Sequence, residues 1–128
     1  MKDKLQNRWP QPPVPDDRVV ETIDDIAAAY ASAHPPASLR FWSPLDGASI
    51  HGVLWYVGLQ QLAQDRFPDF RPVIALDCGD RADLAHAALR EGLTAICFRG
   101  SPVMLAKLLA IAAESGSRVE TRHPAQRD

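Results

Sequence analysis

Two apolar runs decide the fold, Val73-Ile74-Ala75-Leu76 and Leu93-Thr94-Ala95-Ile96-Cys97-Phe98. Each is short and is followed by a polar turn, which is typical of a strand buried on both faces. The stretch between them begins near Asp80 and ends at Gly92, and these two residues are typical of the start and the stop of a helix. A strand, a helix and a second strand in this order predict parallel pairing through a crossover.

The same alternation extends outward from these two runs. Residues 39–42 predict an earlier strand, and Ser43 then starts a helix that we expect to reach Arg66. Residues 101–115 predict a further helix and residues 118–121 a last strand. We therefore predict a small three-layer α/β domain with a four-stranded parallel sheet, like half of a flavodoxin-like or Rossmann-like fold, with the strand order 2-1-3-4.

The domain organisation follows from the proline content. Residues 1–15 carry four prolines, which exclude a helix or a central strand, so we predict an extended Pro-rich arm there. Residues 16–128 are expected to form a single α/β domain. Within it, residues 16–34 predict a helix, residues 39–121 the alternating strands and helices, and residues 122–128 a polar tail.

Composition excludes several classes of protein. The 128 residues have a net charge of −2 and no basic run, which argues against a partner such as nucleic acid or an anionic membrane. No apolar run approaches the ~20 residues of a membrane-spanning helix, and the N-terminus lacks the apolar stretch of a signal peptide. The two cysteines, Cys78 and Cys97, indicate reduced thiols in a cytoplasmic protein.

The candidate binding residues follow from the sheet, because ligands of parallel sheets bind where the carboxyl ends of the strands meet. The expected ligand-binding residues lie in turns after predicted strands: Ser43, Asp80, Arg99, Gly100 and Ser101. Arg99 and the N–H groups that start the next helix suit a small anion such as phosphate or a carboxylate. In the alternative interpretation, the serines and Asp80 only cap helices and Arg99 only pairs with an acid.

The candidate catalytic residues are Asp77, Cys78 and His123. A thiol near a helix N-terminus suits a nucleophile, so acyl or phosphoryl chemistry at Cys78 or Asp77 is one alternative. A packed thiol beside capping acids is the interpretation we favour, and we lean to a protein that is not an enzyme. The sequence indicates no metal site and no cofactor, because the usual dinucleotide, P-loop and nucleophile-elbow motifs are absent.

The segment Ile50–Leu59 is apolar nearly all around a helix, although a surface helix should have a polar face. Glycine within it permits the close approach of another backbone. We therefore predict a homodimer through the helix that contains His51, Trp55 and Tyr56.

The sequence alone does not assign a function. The favoured hypothesis is a cytoplasmic, self-associating α/β module with a small anionic ligand at the carboxyl ends of the strands. The two alternatives are a small enzyme that uses Cys78 or Asp77, and a protein-interaction module that uses the Pro-rich arm near Trp9.

Overall fold

A computed structural model of the chain describes Trp9 and residues 15–126. Most of the predicted Pro-rich arm, and the last two residues of the predicted polar tail, therefore lie outside the described residues. In chain order the elements are β1 (Asp16–Val19), α1 (Ile23–Ser32), a 3₁₀ turn (Pro36–Ser38), β2 (Leu39–Trp42), α2 (Gly47–Ile50), α3 (Val53–Arg66), β3 (Ile74–Asp77), α4 (Ala82–Arg90), β4 (Ala95–Cys97), α5 (Pro102–Ser115) and β5 (Arg118–Glu120).

The five described strands form one parallel sheet in the order β1-β2-β3-β4-β5. This confirms the predicted α/β class and the parallel sheet. The sheet has five strands instead of the predicted four, and the predicted order 2-1-3-4 is wrong. Each crossover moves the chain one strand further in the same direction, and right-handed crossovers of this kind place successive helices on the same side of a sheet.

The extra strand is β1, where the sequence predicted the beginning of a helix over residues 16–34. β1 pairs in parallel with β2, and the backbone N–H of Val20 donates to the carbonyl oxygen of Trp42 at 2.8 Å. The β-branched pair Val19-Val20 fits a strand as well as it fits a helix. The prediction failed because the neighbouring acids were assigned to a helix N-terminus. Asp17 instead accepts hydrogen bonds from Arg40 at 2.7 Å and from the indole of Trp42 at 2.9 Å.

The helix predicted from Ser43 to Arg66 begins later and is interrupted. Asp46 is in the left-handed region (φ 60°) immediately before α2, and Gly52 (φ 93°) separates α2 from α3. A residue with positive φ interrupts the regular hydrogen bonding of a helix, and glycine adopts positive φ without strain. The predicted helix cap at Ser43 is therefore wrong, since the hydroxyl of Ser43 accepts the backbone N–H of Asp77 at 2.8 Å.

Strand side chains alternate between the two faces of the sheet. On one face, Phe41, Leu76 and Ile96 join one apolar cluster with the buried side chains of all four longer helices in the described chain. On the opposite face, Trp42, Ala75, Ala95 and Cys97 pack with Trp9. The rings of Trp9 and Trp42 meet edge to face, with centroids 5.2 Å apart. The sheet therefore lies between a row of helices and a thin layer that includes Trp9.

Candidate functional site

The carboxyl ends of β2, β3 and β4 meet at one edge of the sheet, and a polar network centred on Asp77 lies there. Arg99 donates two hydrogen bonds to the Asp77 carboxylate, from Nε at 3.1 Å and from Nη2 at 2.9 Å. The backbone N–H of Asp46 donates to the same carboxylate at 2.6 Å, and Arg99 also reaches the Asp46 carboxylate at 3.2 Å. One carboxylate thus connects the loops that follow three neighbouring strands.

Burial and hydrogen bonding act in opposite directions on Asp77. Burial raises its pKa, because the side chain is fully buried. The hydrogen bonds from Arg99 and from the N–H of Asp46 stabilise the charged form more strongly, so the pKa of Asp77 lies below its ordinary value. The carboxylate is therefore charged at neutral pH, and its oxygens already accept protein hydrogen bonds. This arrangement gives no support to Asp77 as a phosphoryl acceptor.

The two thiols are buried and unpaired. Burial raises the pKa of Cys78 to about 12, and the negative charges of Asp77 and Asp83 add to this effect. Burial also raises the pKa of Cys97, and the neighbouring Asp77 acts in the same direction. A nucleophilic cysteine requires the thiolate, and these surroundings oppose its formation.

His123, the third candidate catalytic residue, lies on the other side of the sheet from Cys78. The imidazole packs against Trp42, with ring centroids 5.5 Å apart, whereas Cys78 belongs to the cluster on the helix side. Its Nδ1 accepts the backbone N–H of Ala125 at 3.0 Å, so its Nε2 donates to the carbonyl oxygen of Ser43 at 2.6 Å. Both ring nitrogens are occupied, and the histidine attaches the C-terminal segment to the loop after β2.

The structure places most of the expected anion-binding residues in structural contacts. Ser43 is fully buried, and the hydroxyl of Ser101 caps α5 by accepting the N–H of Met104 at 3.2 Å. A Cβ at Gly100 would run into the ring of Phe98, so this glycine permits close packing. Asp80 is exposed but is not the predicted helix cap, because Arg81 occupies the N-cap position of α4.

Within residues 15–126 and Trp9, no group of three or more His, Cys, Asp or Glu side chains could hold a metal ion. The same part of the chain has no helix with the length and apolar character required to cross a membrane.

A second feature lies on the outer surface of α2 and α3. Ile50, Leu54, Trp55 and Leu62 are 66%, 68%, 51% and 50% exposed, respectively. Leu54, Trp55, Gly58 and Leu62 lie on one side of α3, because residues three or four apart on a helix are neighbours. Ile50 belongs to α2, which Gly52 separates from α3. We call Leu54, Trp55, Gly58 and Leu62 the α3 face. Tyr56, which lies on the same helix, is fully buried, so its side chain is not part of the α3 face.

Trp55 is held in a fixed position on the α3 face. Its indole N–H donates to the backbone carbonyl of Glu21 at 3.0 Å, and its ring stacks on His51 with centroids 5.5 Å apart. His51 Nε2 in turn contacts the Glu21 carboxylate at 2.9 Å. A large aromatic side chain that is already ordered loses little conformational entropy on binding, which is typical of residues that dominate protein interfaces.

Gly58 lies in the middle of α3 beside an apolar groove of about 310 Å³, which is lined by Glu21, Thr22, Ile23, Trp55, Gly58, Leu59 and Leu62. Glycine in a helix interior costs about 1 kcal/mol relative to alanine. Its φ is not positive, and a Cβ there would meet no atom within 4 Å. No contact in the described chain therefore requires glycine at this position.

Sequence reasoning missed two features of these regions. It took Asp46 as part of a helix cap and did not place it in the network around Asp77, although the Asp46-Gly47 pair is a turn signal and the turn directs a backbone N–H at Asp77. It also did not connect Glu21 with His51 and Trp55, because 30 and more residues separate them. Only the strand β1, which the sequence did not predict, brings Glu21 to this place.

Comparison of the chain with protein-family models, with curated proteins and with solved structures found no significant match, so its function is argued from its own residues.

Proposed function

We propose that the protein is a self-associating α/β module and that the α3 face is its interface. The observation that carries this proposal is the exposure of three large apolar side chains, Leu54, Trp55 and Leu62, on one side of α3. Scattered apolar residues are normal on a protein surface, whereas a continuous apolar patch marks an interaction site. The fixed Trp55 at its centre supports the same conclusion, since ordered tryptophans are frequent anchors of interfaces.

The polar network at the strand ends gives less support to a ligand or to catalysis. Arg99, the expected anion-binding residue, already faces the carboxylates of Asp77 and Asp46. The thiol of Cys78 is buried and its pKa is raised. Asp46, Asp77 and Arg99 hold the loops after three neighbouring strands together, which is a structural role.

Two further proposals concern the packing of the Pro-rich arm and the cellular compartment. Trp9 is 5% exposed and packs on Trp42, which favours an arm that packs on its own domain over one that presents Trp9 to another protein. We keep the cytoplasm as the proposed compartment, because Cys78 and Cys97 are unpaired thiols.

Sedimentation velocity over a range of protein concentrations tests the proposal. We expect the wild-type chain to form a dimer, and Leu54→Asp to shift it to a monomer of unchanged circular dichroism. Val103→Asp is the matched control, because Val103 on α5 is 67% exposed, nearly the same as Leu54. A wild-type chain that stays monomeric at every concentration, or equal dissociation by both substitutions, would overturn the proposal.

A further inference from the structure

We infer that the α3 face binds the α3 face of a second copy of this chain, antiparallel, around a two-fold axis that passes between the two Gly58 residues. This inference rests on the proposed self-association and adds the identity of the partner surface and its orientation. In a closed dimer of identical chains the same patch serves both copies, so its residue types must be complementary to themselves.

Gly58 supplies the first argument. It is exposed at the centre of the α3 face, its backbone is helical, and a Cβ would meet only open space within its own chain. Glycine is thus unnecessary for the monomer at this position. Two helices that cross at a residue without a side chain approach each other more closely, and their flanking side chains then reach the facing helix.

The residues on either side of Gly58 supply the second argument. An antiparallel two-fold arrangement places positions that are equally far from residue 58 opposite each other. Leu54 then faces Leu62 of the second copy, which pairs two exposed apolar side chains, and Trp55 faces Gln61.

Charge complementarity continues this pattern at both ends of the α3 face. His51 lies in the turn before α3 and Asp65 in the last turn of α3, so the two lie at opposite ends of the α3 face, and both are exposed. The imidazole contacts Glu21 through Nε2, and no hydrogen bond to Nδ1 is found in the part of the chain that the structure describes. The antiparallel dimer brings the Asp65 end of α3 in one copy to the His51 end in the other, twice by symmetry, and there His51 in its protonated form would donate from Nδ1. A parallel dimer would instead place Asp65 against Asp65, and this arrangement is disfavoured because like charges repel.

The groove beside Gly58 supplies the third argument. Its volume of about 310 Å³ and its largely apolar lining suit an aliphatic side chain from the facing helix. A second copy offers such a side chain at Leu54 or Leu62, next to Gly58 on either side.

Two double variants with the same first substitution test the orientation. Leu54→Lys with Leu62→Glu places opposite charges face to face in an antiparallel dimer, whereas Leu54→Lys with Leu62→Lys places like charges there. Positions 54 and 62 are two helical turns apart, so the introduced charges do not pair within one helix. We expect the first variant to dimerise within about tenfold of wild type and the second to dissociate at least a hundredfold more readily, as measured by sedimentation velocity.

The outcomes separate this inference from the proposed function. A dimeric wild type with both double variants monomeric would overturn the antiparallel orientation, because a parallel dimer opposes like charges in both. Two double variants that dimerise as wild type does would overturn the α3 face itself, and a monomeric wild type would overturn self-association. Gly58→Leu is an independent check. It favours the helix of the monomer, so the inference fails if this variant dimerises as tightly as wild type.

Discussion

Removal of the Arg99 guanidinium should destabilise the fold strongly, because it leaves the Asp77 carboxylate charged and buried. Asp77 is fully buried, and Arg99 provides two of its hydrogen bonds. After Arg99→Met the described partners that remain at the carboxylate are the N–H of Asp46 and the thiol of Cys97, neither of which carries a positive charge. Breaking a buried ion pair by removing one member costs about 3–5 kcal/mol, and we expect a loss in this range at pH 7.

The effect should depend on pH in a defined direction. In the wild type the pKa of Asp77 is lowered on folding, so its contribution to stability is complete above its unfolded pKa and is lost as the pH falls through the lower folded pKa. In Arg99→Met burial dominates and raises the pKa of Asp77, so its charge opposes folding above the unfolded pKa. The difference in the free energy of unfolding between the two proteins is therefore widest near neutral pH. It narrows as the pH falls through the raised pKa of Asp77 in the variant, and it narrows further below about pH 4, where the wild-type contribution is lost.

Urea denaturation, followed by tryptophan fluorescence at pH 7 and at pH 3.5, measures this difference. Asp77→Asn combined with Arg99→Met should regain much of the loss, since the uncompensated charge is then absent. Arg81→Met is the control, because it breaks an exposed pair with Asp83 of similar length, 2.8 Å, and should change stability little. A loss below about 1 kcal/mol in Arg99→Met at pH 7, or a difference that does not narrow in acid, would refute the reasoning.

Three further predictions concern buried groups and glycines. Tyr56→Phe removes a buried hydroxyl that has no hydrogen-bond partner within the described residues, so the free energy of unfolding should stay equal or rise by up to ~1 kcal/mol in urea denaturation. Gly79→Ala should lower the free energy of unfolding by about 1–2 kcal/mol or more. In thermal melts it should lower the midpoint temperature more than Gly92→Ala does. Both glycines have positive φ, but only at Gly79 does the new Cβ meet a neighbouring carboxylate. Thiol reagents should modify Cys78 and Cys97 slowly in the native protein, and rapid modification of either would contradict their burial and raised pKa values.

The sequence predicted the parallel sheet and the place of the polar network for the same reason. Apolar runs that alternate with helices require crossovers, and crossovers put all carboxyl ends of the strands at one edge. Asp77 and Arg99 were therefore expected at the same edge, and the structure joins them there. Their pairing with each other was only one alternative, because the direction of a side chain within a loop depends on neighbours such as Asp46 that the pattern does not reveal.

The strand order and β1 could not be predicted from the sequence, for a different reason. Whether a crossover moves the chain to the left or right of the previous strand depends on which face needs covering, and the apolar strands β3 and β4 suit cover on both faces. Here small side chains, Ala75 and Ala95, lie on the face opposite the helices, and Trp9 covers them. That contact joins residues far apart in sequence, and local periodicity carries no signal for it.

The sequential strand order also explains why the apolar character of α3 extends to its outer side. In the helix row α3 contacts α1 on one side and α4 on the other, and its inner side, with Tyr56 and Leu59, packs into the cluster that covers the sheet. In the described chain these contacts leave only the outward side of α3 open, where Leu54 and Leu62 lie. A helix whose inner side alone met the core would need a polar outer side to be soluble. On α3 the departure from that pattern is the α3 face, which is the region that self-association would bury.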